Sequence, residues 1–345
     1  IKNIPSRYIP SIESTKLLSL AKKSDIDSRV IRTLNNSWGL SRGPFRALDF
    51  IDTSDWTLLI NNIEAHNHKV NQLRELVNFI PSWRLDDIMV SYATPGGGVG
   101  PHFDLYDVFL VQAKGYRSWK IGQDCDASSQ LRENSDLRLL SNFETSEEII
   151  TGPKDVLYLP PSKAHWGVAQ TESITYSIGF RAPRLNDMIA YWTDERLEEL
   201  SADELYTDKS MKSAQRPGEI RSDDLRMAKE QILEKLIQSD DSNHWFGDLI
   251  TQSSIDLAES DLRLAPDWTC VHIVNNSNLA WYEDFNQVHL YANGHHSTYS
   301  SDIRDMIVVL CDKREIKRSQ LPTVNLEQSI DCIEFLIEMG AAYTE

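Results

Sequence analysis

Apolar and aromatic residues in the first half of the chain come in short runs separated by turn residues. The runs at 89–94, 106–112, 117–121, 155–159 and 174–180 are rich in Val, Ile, Tyr, Phe or Trp, the pattern of β-strands. Gly152 and Pro153, then Pro160 and Pro161, punctuate both ends of the fourth run. Many short strands with turn signals between them predict a barrel or sandwich. From about residue 186 the period lengthens. Met188, Ile189, Trp192, Leu197 and Leu200 recur at helical spacing, and Leu225, Ile232, Leu233, Leu236 and Ile237 do so again around Lys229, Glu230, Glu234 and Lys235. The polar stretch from Lys209 to Gly218 is expected to separate these two helices. Such stripes must be buried on something, either this chain or a partner. Beyond about residue 246, strands at 270–274 and 287–291 mix with helices at 301–311 and 326–339, and Tyr291 to Gly294 reads as a hairpin turn. A small α+β module of winged-helix type fits that mixture. The pattern divides the chain into three expected zones, 1–185, 186–245 and 246–345.

A length of 345 residues exceeds what one core usually supports, in keeping with two or three domains. No run of about 18 apolar residues predicts a membrane span. No charged-then-apolar leader opens the chain, and because it begins at Ile1 a start further upstream is expected. Cys125, Cys270, Cys311 and Cys332 are scattered without a CxxC pair. They read as reduced thiols of a cytoplasmic protein. Charge changes the picture more. Lys and Arg number 35 against 52 Asp and Glu, a net of −17. Direct nucleic-acid binding rests on neutralising phosphates with cations, so it is not expected. The short basic run of Lys313, Arg314, Lys317 and Arg318, interrupted by Glu315, reads as a solvated face. A negative field instead favours a basic partner, although acidic surfaces also serve solubility alone.

The candidate chemistry lies between Pro95 and His165. His102 and Asp104 are two apart, so in a strand both point to one side. His165 follows a strand and a Pro-Pro turn that can return a second imidazole to the same point. Two His and one carboxylate on one face of a metal form the ligand set of non-heme Fe(II) oxygenases, leaving positions for a 2-oxo acid and dioxygen. Arg117 is expected on the next strand, where a guanidinium can pair bidentately with the far carboxylate of 2-oxoglutarate. Gly96, Gly97, Gly98 and Gly100 let the backbone turn tightly before His102. His66 with His68, and His295 with His296, lack a third ligand nearby in sequence and are not read as metal sites.

These segments carry a resemblance. Residues 95–122 (PGGGVGPHFDLYDVFLVQAKGYRSWKIG), 152–167 (GPKDVLYLPPSKAHWG) and 174–183 (ITYSIGFRAP), with shorter matches at 27–29, 43–45, 56–59 and 83–87, resemble the bacterial JmjC-type (cupin) ribosomal oxygenases. These are arginine hydroxylases of large-subunit ribosomal protein sixteen. The resemblance spans roughly residues 20–345 and is strongest over 80–185. It implies a mainly β fold with α: a double-stranded β-helix (cupin/JmjC) domain, a helical dimerisation region giving a homodimer, and a winged-helix-like α+β domain. It implies Fe(II) held by His102, Asp104 and His165, 2-oxoglutarate clamped by Arg117, and O2 as co-substrate. It further implies a pocket for a substrate arginine of a basic ribosomal protein at Asp87, Met89, Tyr106 and Ser177. A carboxylate at Asp87 suits a guanidinium, Tyr106 can stack on it, and Met89 can pack its methylene stem.

Two other readings stay open at this level. One keeps the iron chemistry but changes the target, as in a JmjC-type histidyl hydroxylase or lysyl demethylase. The other is a non-catalytic metal-binding cupin whose last module binds a partner.

Overall fold

A computed structural model describes the whole chain except residues 35–36, 51, 53, 134, 202, 208–215, 217, 239–243, 254–263 and 265. The chain divides into two compact units, residues 1–182 with 272–277, and residues 183–271 with 278–345.

Among the described residues, the first unit holds ten strands: β1 (Ser28–Leu34), β2 (Ser37–Arg42), β3 (Trp56–Ile60), β4 (Leu85–Ala93), β5 (Asp107–Lys114), β6 (Arg117–Asp124), β7 (Glu147–Thr151), β8 (Val156–Leu159), β9 (Lys163–Ala169) and β10 (Ser173–Phe180). Seven form an antiparallel sheet in the order β2-β1-β3-β4-β10-β5-β8, and three form a second sheet, β7-β6-β9. Period-two alternation explains how the large sheet is used. Ile88, Val90 and Tyr92 of β4, Phe109 and Val111 of β5, and Ile174, Tyr176, Ile178 and Phe180 of β10 turn outward into the main core. There they meet Leu17, Leu20, Ile63 and Leu73 from the helical segments before β4. The alternate residues point the other way, toward the small sheet. Val108, Leu110 and Leu159 from the large sheet pack with Trp119 and Ile121 from the small one. The two sheets therefore face each other, and the inward positions of β4, β5, β6, β9 and β10 line the space between them.

The five expected strands appear as β4, β5, β6, β8 and β10, with ends moved by a few residues. Five further strands, β1, β2, β3, β7 and β9, were not among those expected.

In the second unit, helices Leu185–Glu199 and Ser222–Gln238 fall where the helical periods predict them. All but residues 216 and 218 of the stretch expected to separate them lie outside the described residues. Strands Leu279–Asp284, Gln287–Ala292 and His295–Ser300 form an antiparallel meander. The expected turn joins the last two strands through Asn293 and Gly294, both at positive φ (51° and 91°), as a tight hairpin of this twist requires. Helices Arg304–Lys313 and Leu326–Glu338 follow. Arg318 of the basic run donates to the Pro266 carbonyl and lies over the Trp268 ring. All four cysteines are free thiols.

Candidate active site

His165 sits within β9 and His102 forms an isolated antiparallel bridge to it. The His102 N–H donates to the His165 carbonyl (3.0 Å), and the His165 N–H donates back (2.8 Å). This pairing brings the rings to 4.3 Å between centroids, tilted by 58°. Asp104 follows His102 but not in a regular strand, which departs from the expected geometry. Its backbone carbonyl instead accepts from the Ser162 N–H at 2.6 Å, tying it to the turn that leads into β9. The result is still convergence. One ligand atom from each of His102, Asp104 and His165 lies within 4.8 Å of the others, and among the described residues no other group of three His, Cys, Asp or Glu does so.

The tautomers are fixed as metal binding needs. His102 Nδ1 lies 2.9 Å from the Gly100 carbonyl, and His165 Nδ1 lies 2.9 Å from the Lys163 carbonyl. A carbonyl only accepts, so each Nδ1 carries a proton and Nε2 is the nitrogen left to ligate. Burial, reinforced by the adjacent His102 ring, pushes His165 well below the usual imidazole range despite the pull of Asp104. It is therefore neutral near pH 7 and ready to ligate. Asp104 Oδ2 is 3.7 Å from His165 Nε2.

The glycines before His102 act in two ways. Gly96 and Gly100 take positive φ (82° and 86°), which a side chain disfavours. Gly98 bridges Val168. A Cβ there would lie 2.4 Å from the Gly167 carbonyl oxygen.

Arg117 opens β6, paired in register with Thr151 and Ala169. It is 4% exposed, and its Nε and Nη2 are buried with no hydrogen-bond partner. Burial alone lowers its pKa to about 10, so it is still a cation at neutral pH. An unpaired buried cation is costly. Two carboxylate oxygens would satisfy it, so the guanidinium fits a bound diacid. Trp119, two residues on, packs under the guanidinium (5.5 Å) and beside His165 (6.2 Å). It therefore lies between Arg117 and His165.

A polar network around Arg117 escaped the sequence reading. Gln112, fully buried on β5, accepts from Thr175 Oγ1 (3.0 Å) and Thr151 Oγ1 (3.3 Å). Trp119 Nε1 donates to Thr151 Oγ1 at 3.1 Å. The signal was present, because Gln112 and Thr175 are polar residues at inward positions of otherwise apolar strands.

The expected pocket residues fall on the same inner surface. Met89 and Ser177 are direct partners across β4 and β10, one step along from Asp87 and Gly179. A Cβ at Gly179 would lie 3.5 Å from Asp87 Oδ1 and 3.6 Å from Tyr106 Cε2, so carboxylate and phenol converge over a glycine. Burial, with Asp86 beside it, raises Asp87 to about 6. Burial and the Asp104 charge also raise Tyr106, so its phenol stays protonated.

A JmjC-domain family model matches residues 72–188. The ribosomal protein uL16 3-hydroxylase of Escherichia coli (strain K12) is 32% identical over 264 residues, 76% of this chain and 70% of that protein. The chain belongs to the JmjC-domain ribosomal oxygenases. A second member, the probable ribosomal oxygenase of Haemophilus influenzae, is 31% identical over 315 residues, covering 85% of this chain and 77% of its own. The fold agrees. The E. coli ribosomal oxygenase YcfD, in complex with cobalt and 2-oxoglutarate, matches with a TM-score of 0.82 and 27% identity over 98% of this chain and 91% of its own. The same protein with cobalt and succinic acid matches equally well. In the present chain, two imidazoles, one carboxylate and an orphaned buried guanidinium form a donor set suited to a divalent metal and a diacid.

Proposed function

We propose that this protein is an Fe(II)- and 2-oxoglutarate-dependent dioxygenase that hydroxylates an arginine side chain of large-subunit ribosomal protein sixteen (uL16). When bound, iron with 2-oxoglutarate supplies the oxidising power that places one atom of O2 on an unactivated carbon. The chain's own residues do the rest. His102, Asp104 and His165 would hold the metal on one face, and Arg117 would grip the far carboxylate of the diacid. Trp119 and the facing apolar residues exclude water. Asp87 would pair with the substrate guanidinium against the Tyr106 ring, while Met89 and Ser177 line its stem. The observation that carries the reading is the convergence of Asp87 and Tyr106 over Gly179, where the charge of Asp104 is felt at Tyr106. A carboxylate and a ring face suit a planar cation better than a neutral imidazole.

The test is mass spectrometry of uL16 after incubation with enzyme, Fe(II) and 2-oxoglutarate. A gain of about 16 Da, one oxygen atom, is expected on an arginine and is absent with His102→Ala. Turnover with modification at another residue type would reject the arginine assignment.

The proposal includes a homodimer through the helical region and a winged-helix-like last module. Leu185, Ile189 and Leu197 of one helix, and Leu225, Ile232 and Ile237 of the next, are exposed, which supports burial against a second copy. The meander with its two following helices supports the module. Light scattering should give twice the 39.5 kDa chain mass, falling to one with Ile189→Lys and Ile232→Lys combined.

A further inference from the structure

The cleft assigned to the substrate's guanidinium already holds one from this chain. Arg181 directly follows β10, two residues after Gly179. Its Nε is 3.0 Å from Asp86 Oδ2, and its guanidinium carbon lies 5.3 Å from the centre of the Tyr106 ring. Its charge is also felt at Tyr106 and at Asp87. The ring expected to receive a substrate arginine thus already lies against a resident guanidinium, which is paired with Asp86 next to Asp87. That side chain is 62% exposed, so it can swing into solvent without disturbing the core. By contrast, Arg29 near Asp87 is tied back to Asn61 Oδ1 at 3.0 Å and is not free to leave.

We propose that Arg181 is an internal stand-in for the substrate guanidinium, seated on Tyr106 beside Asp86 and Asp87, which an incoming arginine must displace. This rests on the arginine-hydroxylase reading above and adds a residue that sets substrate affinity. Binding is an exchange of one planar cation for another on the same ring, beside adjacent carboxylates. Carboxylate pairs and ring stacks favour such cations. The cost of binding includes loss of the resident contacts. Removing Arg181 should therefore tighten binding, whereas removing a residue that forms a wall of the site would weaken it.

The experiment compares wild type with Arg181→Ala and Arg181→Gln. The full chain, loaded with Fe(II) and 2-oxoglutarate without oxygen, is titrated with L-arginine amide by calorimetry. The KM for a uL16 fragment is then measured in air. Both variants should bind the probe about three- to tenfold more tightly, the scale of an exposed ion pair with a ring stack, and KM should fall in parallel. Because the side chain is exposed, both variants should keep the wild-type melting temperature. Unchanged or weaker probe binding would overturn the proposal. If wild type modifies no arginine, the hydroxylase reading fails. The titration still reports whether Arg181 occupies a guanidinium site, so the two failures are distinguishable.

Discussion

His102 and His165 are bonded to each other through both backbones, each N–H to the other's carbonyl, and this bridge puts their rings 4.3 Å apart. The two imidazoles are therefore tied to β9 and do not ride on a loose loop, and Asp104 is pinned beside them through Ser162. Replacing one ligand should leave the fold and remove the metal. His102→Ala or Asp104→Ala is expected to weaken cobalt binding, followed by its visible absorption, on the order of 100-fold or more, with an unchanged circular dichroism spectrum. Retention of wild-type cobalt affinity by either variant would show that the three side chains are not the site.

Arg117 gives a prediction of opposite sign for stability and function. Its guanidinium is buried with two nitrogens unpartnered, so the ligand-free protein carries an uncompensated charge. Arg117→Met should raise the melting temperature of the ligand-free protein, because an apolar side chain removes that penalty. In wild type, 2-oxoglutarate at about 100 times its Kd should add about 2.7 kcal/mol, and in the variant it should add almost nothing. A variant that melts lower and still responds to 2-oxoglutarate would show that the guanidinium has another partner.

The site was largely legible in sequence, while its supports were not. His102, Asp104, His165 and Arg117 stand at informative spacings beside turn-forming glycines and prolines. The strand expected to carry His102 and Asp104 is instead one bridge followed by irregular chain, because Asp104 is held by the turn at Ser162. β9 (Lys163–Ala169) went unseen because its sequence holds a single β-branched residue and a glycine. That glycine, Gly167, faces Trp119 so closely that a Cβ would lie 2.5 Å from the ring. Arg181 was invisible because its partners Asp86 and Tyr106 meet it only across neighbouring strands. Pairing partners of this kind depend on register, which a single sequence does not display.

Glu64 ties a buried carboxylate to the strand that carries Asp87. Its Oε2 accepts from the Ile88 N–H at 3.1 Å, and burial, offset by the Arg74 charge, raises its pKa to about 7. Between its ordinary value near 4.5 and about 7, the folded protein holds a proton that the unfolded chain has lost. Stability from this group is therefore full at lower pH and is lost as pH rises through that window. Glu64→Gln keeps an acceptor for Ile88 and cannot ionise. Its melting temperature should depend less steeply on pH between 5 and 7 than that of wild type, measured by differential scanning calorimetry. Parallel curves for the two proteins would place the titration elsewhere.

The second unit carries an acid-sensitive cluster of opposite sign. His244, at the start of helix His244–Thr251, stacks on His296 at 4.1 Å and meets His289 at 4.8 Å. Burial, then the His296 and His289 charges, lowers the His244 pKa, against the pull of Asp248 and Asp284. His296 is raised instead, first by its hydrogen bond to Asp248, with Glu195 adding to it. The folded state thus favours the protonated form of His296 and the neutral form of His244. His244 contributes stability that is present above its unfolded pKa, near 6.5, and is lost as pH falls. A charged His244 would also sit at a helix N-terminus, where the dipole disfavours cations. His296 contributes in reverse and loses stability as pH rises. His244→Gln should therefore protect this unit selectively below about pH 6, seen as slower amide exchange in the helix and in strands Gln287–Ala292 and His295–Ser300. His296→Gln should leave that acid loss in place and lower stability near neutrality. Identical acid profiles for wild type and His244→Gln would remove the stacked pair from the explanation.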